Sequence, residues 1–299
     1  MVRCGAAALQ GPEPAARRWR AVSRARLAAG LLGAVAATAV ASPALQGQQP
    51  DRHEVFTDLL QEIVVDSLVD YEALVERRDL LDSYLESLAA PGSGELEGAP
   101  EAGQLAFWLN AYNACMLDLV ADHYPIEPGE GVGFFQWLRN VFTDRPENSV
   151  WQIPDVFDGD HCRVAGALRS LDEIEHEIIR PEFGDPRIHF AVNCAAYSCP
   201  VLREEAYVGE RLDEQLDDQV ERFIADDRHY RLGEDGPVLT VNRVLDWYAE
   251  DFGGTDGIPG FFTAYVDGEA GELLRHPDLR VEFFHYDWTL NDVHAEPGS

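Results

Sequence analysis

The chain has 299 residues, of which 54 are acidic, 23 basic and 46% apolar. That length holds one large or two small domains, and the apolar fraction can bury a core, so disorder throughout is excluded. All 23 basic residues are Arg, which excludes a Schiff base, a phosphate-loop Lys and a pyridoxal site, and a net charge of -31 offers nucleic acid no cluster of cations.

The positive charge is unevenly placed. Arg17, Arg18, Arg20, Arg24 and Arg26 precede a run of fifteen uncharged residues, 27–41, followed by small residues at Ala39-Val40-Ala41 or Ser42-Pro43-Ala44. This order is that of a secretory signal peptide over 1–41. An uncleaved anchor is the alternative, but a spanning helix needs ~20 apolar residues. Cleavage leaves 17 basic and 53 acidic side chains and a charge of -36. The expectation is an exported body, periplasmic or extracellular, that repels anionic membrane surfaces and nucleic acid. Residues 42–54 then read as a flexible lead-in and 292–299 as a tail.

Beyond the lead-in, apolar residues at helical spacing predict helices over 55–69 and 74–88, and 89–103, rich in Gly, Pro, Ser and Glu, reads as a loop. The segment 104–120, QLAFWLNAYNACMLDLV, is apolar nearly all round and predicts a helix buried on every side. Asn110, Tyr112 and Asn113 are its polar exceptions. The two amides, three apart on one face, either tie loops to the core or line a site. A hairpin is predicted from 151–157 and 162–164 around Asp158-Gly159-Asp160, and Ser170 with Glu173 forms a capping box that opens a short helix carrying His176.

The run 187–193, RIHFAVN, reads as a buried strand leading into Cys194-Ala195-Ala196-Tyr197-Ser198-Cys199-Pro200. An amphipathic helix over 212–223, strands at 229–232 and 238–241, helices near 243–251 and 260–266, and a strand at 280–286 complete the pattern. The expected fold is α+β: a predominantly helical single domain with a small antiparallel or mixed sheet.

Cys115, Cys162, Cys194 and Cys199 follow the leader. Four cysteines in an oxidising compartment allow three connectivities. One of them pairs Cys194 with Cys199 and would rivet the turn between them.

Several ordered segments together resemble one family, domain of unknown function 547. They are FWLNAYNA at 107–114, SLDEIEHEIIRP at 170–181, DPRIHFAVNCAAYSCPVLREEAY at 185–207 and YDWTLN at 286–291, with weaker likeness at VDYEAL, LDEQLDDQVERFI and LDWYAEDF. The resemblance spans 55–291 and implies a domain of that extent. The family carries no general activity. The resemblance directs attention to Asn110, Tyr112, Asn113, His176, His189, Cys194, Ser198, Cys199, Arg203, Tyr286, Asp287 and Asn291.

The leading chemical reading is a thiol-dependent hydrolase or transferase. Cys194, on a turn of small residues, is the nucleophile, His176 the base and Asp287 or Asn113 its orienting group. His189 is set aside as base because, on an extended strand, residues five apart point to opposite faces. Asn110, Tyr112, Asn113, His189, Ser198 and Arg203 are candidate binding residues for an unidentified small molecule or polypeptide. No cofactor is favoured. Zinc on Cys194, Cys199, His176 and His189 is the minority alternative, since no second paired-ligand motif accompanies the cysteines. The other class is a non-enzymatic binding domain, with the aromatic run 134–142 as a contact surface and Cys194 and Cys199 joined as a structural disulfide.

Overall fold

The structure is a computed structural model that describes residues 52–90, 96, 98–127, 145–233 and 236–295. The expected export signal at 1–41 and the aromatic run at 134–142 lie outside the described residues.

The chain opens with helix α1, Arg52–Ile63, which ends earlier than its apolar spacing predicts. The β-branched pair Val64–Val65 instead forms strand β1, which turns back on β2, Leu68–Val69. The turn residues Asp66 and Ser67 both have positive φ, 48° and 69°, the geometry of a tight hairpin turn. Asp70 then caps α2, Tyr71–Glu76, by accepting the Ala73 N–H at 2.9 Å. Helix α3, Arg78–Ala89, follows directly.

Helix α4, Glu101–Ala121, carries the nearly all-apolar segment and is buried as expected from Leu105 to Leu117. It is the axis of the first of two apolar clusters. The predicted hairpin is displaced. Residues 151–157 run as a 3-10 turn and loop, and the pairing is between β3, Cys162–Val164, and β4, Ala167–Arg169. The turn between them, Ala165-Gly166, has φ of 48° and 82°. Asp158-Gly159-Asp160 sits before the hairpin rather than at its tip.

Ser170 caps the next helix by accepting the Glu173 N–H at 3.0 Å, as its capping box predicts. This helix, α5, is π-helical over Glu173–Ile179 and ends in the α-helical turn Arg180–Phe183. The predicted strand at 187–193 is absent, because Asp185 accepts the Arg187 N–H at 2.9 Å and Pro186 supplies a ready-made first helical φ, so Pro186–Phe190 winds as a 3-10 helix. Helix α6, Leu212–Ala225, follows.

Strands β5, Tyr230–Leu232, and β6, Val238–Val241, pair antiparallel, and β7, Arg280–Phe283, adds parallel to β6. Short helices at Val244–Trp247, Ile258–Phe262 and Gly268–Leu274 pack near this mixed sheet. Together with Phe190, Val220 and Phe223 they build the second apolar cluster. The fold is thus predominantly helical α+β with small sheets. No helix among the described residues is long and apolar enough to cross a membrane.

The disulfide joins Cys115 of α4 to Cys162 of β3, 47 residues apart, and leaves Cys194 and Cys199 as free thiols. Closing a loop of that length removes chain entropy from the unfolded state. Replacing both Cys115 and Cys162 by Ala is therefore expected to cost about 4 kcal/mol in urea unfolding, and peptide mapping without reductant to show 115 linked to 162 while 194 and 199 take up alkylating agent.

Candidate functional site

The two apolar clusters meet at one place, and Cys194 and Trp288 pack against both. A narrow cavity of about 30 Å³ opens there, room for roughly two water molecules. Its polar lining comprises Tyr112, Asp172, Glu175, His189, Cys194 and Tyr286, with Cys199 at its wall.

The loop that carries the cysteines is fixed by amides. Asn113 of α4 donates to the Ala191 carbonyl at 3.0 Å and accepts the Asn193 N–H at 2.9 Å. Asn193 in turn accepts the Ala195 N–H at 2.9 Å and donates across the loop to the Pro200 carbonyl at 2.8 Å. Asn291 donates to the Asn193 oxygen at 3.3 Å, and its own oxygen accepts the Tyr71 hydroxyl at 2.7 Å. All three amides are buried. They hold Ala195 at φ 59°, a left-handed conformation that a side chain resists unless its surroundings impose it.

The C-terminal strap completes the clamp. Tyr197 N–H donates to Thr289 O at 2.7 Å, Asn291 N–H to Ala195 O at 3.1 Å and Asp287 N–H to Ser198 Oγ at 2.9 Å. The Asp287 carboxylate is spent on the Thr289 N–H, 2.9 Å away. It therefore does not orient His176, contrary to the sequence expectation.

Within this frame Cys194 is half-buried. Its N–H donates to Cys199 Sγ at 2.8 Å, and its sulfur lies 3.1 Å from the Tyr286 hydroxyl. Burial alone would push the Cys194 thiol up, but hydrogen bonds from Cys199, Tyr286 and the Ala196 N–H outweigh it and hold the thiol below its ordinary value. Burial and the neighbouring Cys194 push Cys199 the other way, well up. The pair is therefore asymmetric, with the negative charge favoured on Cys194.

The structure exchanges the two histidines. His176 does not line the cavity: its Nδ1 lies 3.3 Å from Arg180 Nη1 and its Nε2 is 3.8 Å from Asp172. His189 does line it, because the 3-10 winding of 186–190 cancels the parity argument that set it aside. His189 Nε2 lies 2.6 Å from Asp251, and the ring stacks on Tyr248 at 4.1 Å. Burial raises the Asp251 carboxyl, yet His189 and the Arg180 fork, at 2.8 and 3.0 Å, hold it well below the usual carboxylate range. With Nε2–H on that carboxylate, Nδ1 is left buried without a hydrogen-bond partner among the described residues.

Asn110 is tied to Tyr207, donating to its carbonyl and accepting its N–H, each at 2.8 Å. Arg203 is buried in ion pairs with Glu205 and Asp218. Both sit away from the cavity lining and brace the fold. Cys194, Cys199, His176 and His189 do not converge as a ligand set, and no group of three or more His, Cys, Asp or Glu among the described residues is placed to hold a metal ion.

Glu175, Tyr248 and Asp251 escaped the sequence reading. Glu175 is 6% exposed, although a charged residue in an amphipathic helix ordinarily faces solvent. The π-helical stretch changes the angular step and turns it inward. Asp251 has a faint signal, since it lies in the LDWYAEDF stretch.

Residues 96–224 match the sequence model of a family described as protein of unknown function, DUF547, so this stretch of the chain is similar to that family. The matched stretch holds Tyr112, Glu175, His189, Cys194 and Cys199, whereas Tyr248, Asp251 and the 286–291 strap lie beyond it. No curated protein and no solved structure matches the chain.

The Ser198 carbonyl accepts from Asn242 at 2.6 Å, and the same amide nitrogen lies 2.9 Å from His229 Nδ1. Burial lowers His229 from 6.5 to about 4. The unfolded chain therefore binds one more proton than the folded one between those values, so this contribution is complete above pH 6.5 and is lost as pH falls towards 4. The loss is about 3 kcal/mol. His229→Gln should flatten the fall in urea stability over that interval.

Proposed function

We propose that this protein is a thiol-dependent hydrolase or transferase in which Cys194 is the nucleophile and His189, backed by Asp251, carries the proton. The observation that carries the reading is the half-buried Cys194 sulfur at the cavity, with Tyr286, Cys199 and the Ala196 N–H directed at it. Donors to a sulfur stabilise the thiolate, which is the reactive form. The thiolate adds to an electrophilic carbonyl carbon, and the leaving group departs with a proton from the imidazolium. Water or a second nucleophile then cleaves the thioester and returns the thiolate. His189 suits the proton step because Asp251 holds its Nε2–H and Nδ1 has no hydrogen-bond partner among the described residues, which leaves that nitrogen open to accept and return a proton.

Export is part of the same reading. It is supported by the Arg-rich segment before the uncharged run 27–41 and by the Cys115–Cys162 bond, since such bonds persist in oxidising compartments.

The test is the pH profile of iodoacetamide labelling of the native protein, read by mass spectrometry at residue 194. Cys194 should label with a midpoint below the ~8.5 of a free thiol, and Tyr286→Phe should raise that midpoint by about one unit. A Cys194 that stays unlabelled below pH 9, or a midpoint indifferent to Tyr286→Phe, contradicts the assignment.

A further inference from the structure

Glu175 is a carboxylate in an unusual place. It is 6% exposed and lines the cavity, and its carboxylate has neither a hydrogen-bond donor nor an ion-pair partner among the described residues. A buried carboxylate left in that state is costly, and proteins compensate such charges with a partner. Asp172, a second carboxylate, lines the same space, and burial together with Glu175 pushes it up. The guanidinium nearest in sequence, Arg180, is committed through both its Nε and Nη2 to Asp251 and reaches Glu175 only through space, without a direct ion pair. The Cys194 thiolate would add a third negative charge.

Much of the rest of the wall is aromatic, with Tyr112, Phe157 and Trp247 contributing rings beside Val192, Pro200 and Val244. Carboxylates among rings are the surroundings in which an organic cation is held, by ion pairing and by attraction to the π-systems. A metal ion would require a converging donor set, and the described residues place no such group. The size of the cavity selects further. At about 30 Å³ it takes a chain end of roughly two heavy atoms and not a bulky quaternary ammonium.

We infer that the cavity is a binding site for a primary ammonium group, held by Glu175 with Asp172 beside the Cys194 sulfur, so that the substrate or acceptor is an amine. The inference rests on the reading of this cavity as the substrate site. A free small amine and the end of a lysine side chain in a polypeptide present the same ammonium chemistry to this site.

The experiment titrates Cys194→Ser protein with methylammonium at constant ionic strength and follows the methyl proton resonance. In parallel arms, Nα-acetyl-lysine methylamide, tetramethylammonium and methanol are the probes. Saturable binding of methylammonium or of the lysine derivative is expected, with the bound methyl or ε-methylene resonance moved upfield by the surrounding rings. Affinity should be at least tenfold above that for tetramethylammonium or methanol and should fall at least tenfold in Glu175→Gln. Asp172→Asn, at a more exposed position, should weaken binding as well and serves if Glu175→Gln does not fold. Absence of saturable binding by either amine, equal binding of methanol, or an affinity unchanged in both carboxylate variants overturns the inference. Because the protein titrated has no thiol at 194, failure here leaves the nucleophile assignment standing, and failure of Cys194 to label leaves the amine site standing.

Discussion

The structure depends on a buried chain of three side-chain amides, Asn113, Asn193 and Asn291, that joins α4, the cysteine loop and the C-terminal strap. An amide suits this place because it offers a donor and an acceptor a fixed distance apart, so one side chain can satisfy an N–H and a C=O on a loop that makes no regular ladder. Asn193 does so across its own loop, reaching Ala195 on one side and Pro200 on the other. Each backbone group left unpaired there would cost about 1–3 kcal/mol, and the network stabilises the left-handed Ala195 against that scale. Its result is a cysteine with little freedom to turn away from the cavity.

The second consequence concerns charge. The chain's cations are all guanidinium groups, and those around the site are engaged elsewhere: Arg180 with Asp251, Arg187 with Asp185 and Asp217, Arg203 with Glu205 and Asp218. Planar forks paired with carboxylates brace the fold but leave Glu175 and Asp172 without a direct guanidinium partner among the described residues. The Cys194 sulfur is accordingly held by the Tyr286 hydroxyl and the Cys199 thiol instead of by a guanidinium. The same shortage makes a positively charged ligand the natural complement of the cavity.

Much of this was legible in the sequence where one physical signal dominated. The nearly all-apolar 104–120 segment, the capping box at Ser170 and the strands expected at 229–232, 238–241 and 280–286 follow from burial and turn chemistry, and the cysteine loop and strap were marked by the family resemblance. The failures share a cause: local backbone geometry that hydrophobic pattern does not encode. Apolar β-branched residues at 64–65 look like the continuation of a helix until the positive-φ pair at 66–67 turns them back. Asp185-Pro186 reads as a turn and acts as a helix start, which brings His189, and not His176, to the cavity. The π-helical winding of 173–179 buries a glutamate that an α-helical projection would place in water.

The claim on which the rest stands is that the amide network immobilises the cysteine loop, and native-state hydrogen exchange measures it directly. The N–H groups of Asn193, Ala195 and Tyr197 lie outside regular secondary structure, yet each is bonded, to Asn113, Asn193 and Thr289 respectively. They should exchange only through openings as costly as those that release the central helix, and Asn193→Ala should make all three fast. Exchange of these amides at loop rates in the native protein would contradict the account.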